Sequence, residues 1–172
     1  MARRFSRTAG TAVAAAGVLA LTAVPTSAAP SPAAGAPAAA PAAVKTWRPV
    51  DLPAFDKACS GTLNHPKSTR VFFQTCIVHG NDNWIQPVLI VSNLSDNWIN
   101  IGGDIHSHWV IVAGAHDTCA ESALAPGAQT SCWGTTTAGR LGLNTADSQF
   151  YLNGMDKYGT SLAAKYVLLQ DA

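Results

Sequence analysis

Four cysteines, Cys59, Cys76, Cys119 and Cys132, stand behind a segment that reads as an export signal. An even set of cysteines in an exported chain closes into disulfides rather than staying reduced. This restricts the chain to a small braced domain whose strands meet in pairs. Three pairings are possible. Cys59–Cys76 and Cys119–Cys132 are favoured, because each pair brackets one turn between neighbouring strands. No pair has the close spacing of a zinc knuckle. Each short-loop bridge adds roughly 2–4 kcal/mol.

The export reading rests on order along the chain. Arg3, Arg4 and Arg7 form a basic start, an apolar stretch follows from Gly10 to Val24, and Thr26-Ser27-Ala28 offers small residues to signal peptidase. The cut is placed after Ala28, since a cut after Ala29 would put Pro30 directly behind the scissile bond. Arg3-Arg4 lacks the flanking residues of a twin-arginine signal, so general export is expected and the mature protein is secreted. Residues 1–28 are the signal peptide, 29–50 a Pro/Ala-rich arm, and 51–172 the folded domain.

Cleavage removes three of the eleven basic residues and none of the ten acidic ones, leaving a net charge of about −2. No basic patch remains, which argues against nucleic acid or anionic lipid as a partner. After Val24 no apolar run approaches the roughly 20 residues that span a bilayer.

The arm is almost only Ala, Pro, Ser and Gly up to Val44. Pro blocks regular helix and Ala offers little to bury, so a mobile, partly extended segment is expected. It is either a spacer or a docking arm that orders on binding. Its base carries Trp47 and Arg48, residue types favoured as binding hot spots, and these two are the candidate binding residues.

Past Asp51 the pattern is β. Strands are expected at Thr69–Val78, Ile85–Ser92, Trp98–Ile101, His106–Ala113, Gln149–Asn153 and Ala163–Leu169. Turn formers separate them: His79 to Asn83, Asn93 to Asn97, Gly102-Gly103, Ala125-Pro126-Gly127 and Asn153-Gly154. Short strands at this spacing predict an all-β, immunoglobulin-like antiparallel sandwich of about seven strands. Only Pro53–Ala58 and Thr160–Ala164 suit a helical turn. Pro87 implies that its strand lies at an edge or starts beyond it.

Asp104, His106 and His108 share one face of a strand at this spacing. Two imidazoles and a carboxylate suit Zn²⁺ or Cu²⁺. The likeness to the cupin H-x-H strand is superficial, because Trp109 to Gly114 contains no acid. A solvent-facing polar stripe is the commoner meaning, so no metal and no cofactor are assigned. Among five tryptophans, Trp84 and Trp98 follow polar loops and suit surface placement, which raises sugar stacking. No G-x-S-x-G is present, and pairing His79 with Asp82 or His116 with Asp117 is not specific. Glu121 is the only Glu, so a glycosidase pair would be Asp–Asp. Asn93-Leu94-Ser95 reads as a plain turn rather than a glycosylation site. The chain is therefore expected to be a non-catalytic interaction module. The rivals are a carbohydrate-binding module, a secreted protease inhibitor, and a metal-dependent enzyme using Asp104, His106 and His108.

Residues from Cys59 to Gly134 resemble small exported immunoglobulin-like proteins of high-GC Gram-positive bacteria. The resembling parts are Val71 to Cys76, the apolar strand to Asn93, and Cys119 through Leu124-Ala125-Pro126-Gly127 to Cys132. A small secreted sandwich with an N-terminal arm is similar in architecture to the adaptor subunit of umbrella toxin particles. That resemblance implies two partners, a lectin subunit with a degenerate trypsin-like domain and a long repeat-bearing stalk. The arm, Ala29 to Val50, would then be the insert for the lectin subunit's cleft.

Overall fold

A computed structural model describes residues 43–54, 56–109, 116–154 and 163–169. The export signal and residues 29–42 of the arm lie outside the described residues. So do most of the segment expected to form a strand after Ser107 and most of Thr160–Ala164.

The strands form where β-branched and aromatic residues cluster, and they end at polar turn formers. In chain order they are β1 (Ala43–Lys45), β2 (Trp47–Arg48), β3 (Lys57–Cys59), β4 (Leu63–His65), β5 (Ser68–His79) and β6 (Trp84–Asn93). They continue as β7 (Ile99–Ser107), β8 (His116–Leu124), β9 (Gln129–Trp133), β10 (Thr137–Ala138), β11 (Gly142–Leu152) and β12 (Ala164–Leu168). Among the described residues, the seven strands of five or more residues are β5 to β9, β11 and β12. One sheet has the order β1-β8-β7-β11-β12 and the other β2-β9-β6-β5-β3, with β4 beside β5 and β10 beside β6. The β5–β6 hairpin belongs to one sheet and the β7–β8 hairpin to the other. The chain then returns to pair β9 with β6, and crosses again to pair β11 with β7. This Greek-key order makes the molecule an immunoglobulin-like all-β sandwich.

The core lies between the sheets. Val71, Phe73, Leu89 and Val91 from one face meet Ile101, Ile105, Phe150 and Leu152 from the other. A polar pair spans it: Thr75 and Ser148 are both fully buried, with hydroxyl oxygens 2.5 Å apart. His65 is also buried, edge-on to Phe150. Its Nδ1 accepts from the Lys67 N–H at 3.2 Å. Burial, and then the charge of Lys67, lowers its pKa from the usual 6.5.

Both expected disulfides are present, in different settings. Cys59 and Cys76 face each other in the β3–β5 register, on adjacent strands of one sheet. Cys119 on β8 and Cys132 on β9 lie in different sheets, so this bridge joins the two layers rather than two neighbouring strands. The Ala125-Pro126-Gly127 turn carries the chain across, with Gly127 at φ +71°.

Three local expectations are corrected. Gly102-Gly103 is not a break, because β7 runs through it with a register shift between Ile101 and Gly103. Gly103 serves close packing there: a Cβ on it would stand 2.6 Å from the Gln149 carbonyl oxygen and 2.7 Å from Leu89 Cδ2. His106 and Ser107 are consequently the end of β7, not the start of another strand. Pro87 lies within a central strand. Its carbonyl accepts from Gly134 N–H at 2.8 Å, so its N faces the same side. On that side β9 begins pairing at Val88 and β10 pairs only to Ile85, so the missing N–H falls in a gap of the ladder. Finally, the end of Pro53–Ala58 enters strand β3 instead of a helical turn.

Candidate functional site at the base of the arm

The two sheets are closed along one side by the residues that carry the arm. Ala43–Lys45 runs parallel to β8, and Trp47–Arg48 runs antiparallel to β9. Among the described residues, strand pairing therefore already includes Ala43, inside the segment assigned to the arm. Five residues of this six-residue stretch thus pair with the edges of both sheets.

Trp47 and Arg48 point to different tasks. Trp47 is half-buried, packs against the core, and donates its indole N–H to the Ala120 carbonyl at 2.6 Å. It holds the arm base to its own domain. Arg48 is exposed, and its guanidinium carbon stands 4.0 Å from the centre of the Trp133 ring. Its carbonyl accepts from the hydroxyls of Thr130 at 3.0 Å and Ser131 at 3.1 Å. Trp133 in turn donates to Ser131 Oγ at 2.9 Å. The cation and the ring are thus held by a fixed backbone. Among the described residues Arg48 has no carboxylate partner.

Lys45, Arg48, Gln86, Trp133 and Thr135 line a shallow cleft of about 310 Å³. A second hollow of about 370 Å³, lined by Arg48, Pro49, Asp51 and Trp133, adjoins it through their shared Arg48 and Trp133. Lys45 pairs with Asp117 at 3.4 Å, and Asp117 is only 6% exposed. The same carboxylate accepts from the Thr135 N–H at 2.6 Å and its hydroxyl at 2.7 Å. That network ties β1 to the β9–β10 connection. Cation, aromatic ring and hydroxyls together suit an acidic or aromatic side chain of a protein partner.

The remaining candidates are dispersed. Trp84 and Trp98 are exposed, but they stand near opposite ends of β6, about 30 Å apart by strand length. They do not form one sugar platform. Trp109 is buried and donates to the Thr137 hydroxyl at 2.8 Å. Asp117 turns inward while His116 turns outward, so these neighbours form no dyad. His79 stacks on Tyr166. Asn93 is fully buried, and its side-chain amide donates to the carbonyls of Asn97, Leu124 and Ala125, so it holds a turn.

Asp104, His106 and His108 do share a face, but they do not converge. Asp104 accepts from the hydroxyls of Thr118 and Tyr151. His106 and His108 instead both contact Asp147 of β11. Comparison with protein-family models, curated proteins and solved structures finds no significant match to this chain.

Proposed function

We propose that the chain is a secreted, non-catalytic protein–protein interaction module. It acts as an adaptor in an extracellular toxin assembly, with its N-terminal arm docking into a partner's cleft. The observation that carries this reading is the pinning of Ala43–Arg48 to both sheets. An arm that only spaced two bodies would not need such a root. Here Ala43–Arg48 is fixed by strand pairing, and its Lys45 and Arg48 line the cleft with Trp133. A rigid root limits the entropy lost when an extended segment docks.

Two disulfides are compatible with an extracellular setting. Among the described residues no helix is long and apolar enough to cross a membrane. The partners that fit the architecture are a trypsin-like-fold lectin subunit and a repeat-bearing stalk protein. The test is affinity purification from culture supernatant, with mass spectrometry of what co-elutes. Co-elution of a secreted protein with a trypsin-like domain supports the reading. Recovery of the chain alone, across growth conditions in which it is secreted, overturns it.

A further inference from the structure

The outer face of the five-stranded sheet carries a row of side chains remote in sequence. The register sets His116 of β8 opposite His106 of β7, and His106 opposite Asp147 of β11. The three stand side by side across adjacent strands, on the face away from the core. His108 follows the end of β7, where its main-chain N–H donates to the Thr145 carbonyl at 2.9 Å. That contact brings its ring over the same row. Asp147 lies between two imidazoles, with Oδ1 3.1 Å from His106 Nδ1 and Oδ2 2.5 Å from His108 Nε2. The rings of His106 and His116 are 5.9 Å apart between centres.

Three imidazoles and one carboxylate are the donors that zinc and divalent copper prefer. With Zn–N bonds of about 2.0–2.1 Å, two imidazoles at a tetrahedral angle have ring centres about 5 Å apart. The His106–His116 pair is within about 1 Å of that. As the side chains lie, His106 and His108 hydrogen-bond to Asp147, His116 meets His106 ring to ring, and no three His, Cys, Asp or Glu side chains among the described residues are already placed to hold a metal ion. A cation would take over those contacts. The nitrogens and oxygens now sharing protons would turn to it by torsion of side chains that are not packed in the core.

We infer that His106, His108, His116 and Asp147 form a surface site for a zinc or divalent copper ion, bridging β8, β7 and β11. The expectation of no metal concerned Asp104, His106 and His108. The fold removes Asp104, which is engaged with Thr118 and Tyr151, and supplies His116 and Asp147 instead. Four protein donors leave no open position, so the ion braces the sheet and does not activate water. This inference does not depend on the adaptor reading.

The test is calorimetric titration of untagged, chelator-treated protein with Zn²⁺ and with Cu²⁺ near neutral pH. About one equivalent binds, and the ion raises the melting temperature. His106→Ala and Asp147→Asn each weaken binding at least about tenfold. His79→Ala, whose ring stacks on Tyr166, leaves binding unchanged. Because Asp147→Asn preserves shape, it reports on ligation even if His106→Ala fails to fold. Electron paramagnetic resonance of the Cu²⁺ form shows coupling to at least two imidazole nitrogens. Absence of a saturable site in the wild-type protein overturns the inference, as does equal binding by the His79→Ala and Asp147→Asn variants.

Discussion

The indole N–H of Trp47 donates to the carbonyl of Ala120 across 73 residues of sequence, at 2.6 Å. Trp47 itself is paired through its backbone with Cys132 on the opposite sheet. One residue therefore ties the root of the arm to both layers. Trp47→Ala should cost about 2–3 kcal/mol in urea denaturation, since a half-buried ring and a hydrogen bond are both lost. Trp47→Phe should cost about 1–2 kcal/mol, because it keeps most of the packing but leaves the carbonyl without this donor. Arg48→Ala should cost no more than about 1 kcal/mol, as its cation–π contact is exposed.

The disulfides should differ in accessibility. Cys119 and Cys132 are both buried between the sheets, whereas Cys59 is exposed and only Cys76 is buried. Limited reduction followed by alkylation should label Cys59 and Cys76 first. Removing the Cys119–Cys132 bridge by double substitution to alanine should cost about 3 kcal/mol by the loop-entropy estimate.

Gly102 and Gly103 make a sharp comparison. A Cβ on Gly102 finds its nearest neighbour, Tyr151 Cδ2, at 3.4 Å, which is ordinary contact. On Gly103 the same atom would collide with the β11 backbone and with Leu89. Gly103→Ala should destabilise by about 2–3 kcal/mol and Gly102→Ala by less than about 1 kcal/mol, read as shifts in the denaturation midpoint.

His65 gives a pH dependence with a defined sign. Its pKa is lowered in the folded state, so below 6.5 the unfolded chain takes up its proton first. The stabilisation is complete above the unfolded value and declines as pH falls from 6.5 toward the folded pKa. A variant without the titrating group, His65→Phe, should lose this component. The difference in stability between the two proteins should change as pH falls through that window and stay constant above it.

The sandwich was legible where β-branched and aromatic residues run together between polar turn formers. Ser68–His79 puts Val71 and Phe73 on the core face, Trp84–Asn93 is a nearly continuous buried run with apolar residues on both faces, and polar turns bound them. Much of β11 was hidden because its buried face includes Asn144 and Ser148, polar groups satisfied by local turn and cross-sheet bonds. Asn144 bonds both N–H and carbonyl of Arg140, which no short-range hydropathy pattern reveals. Pro87 and the Gly102-Gly103 pair misled because their usual meaning, edge and break, yielded to a ladder gap and a close approach. At the site, Trp47 and Arg48 stood out by residue type, but Trp133 joined them only through strand pairing. His116, weighed only beside Asp117, and Asp147 were not joined to His106 for the same reason. The alternation of Leu143, Thr145, Asp147 and Gln149 against a buried partner face was the available signal.

In the proposed adaptor the arm, not the domain surface alone, binds the partner. The most direct test is the affinity of the captured partner for chain 29–172 and for chain 43–172. The shorter chain keeps β1, β2 and Trp47, so its melting temperature should match that of the longer one. Loss of residues 29–42 should lower the affinity at least about tenfold. Equal affinity of the two chains, with both folded, would contradict it and make the arm a spacer.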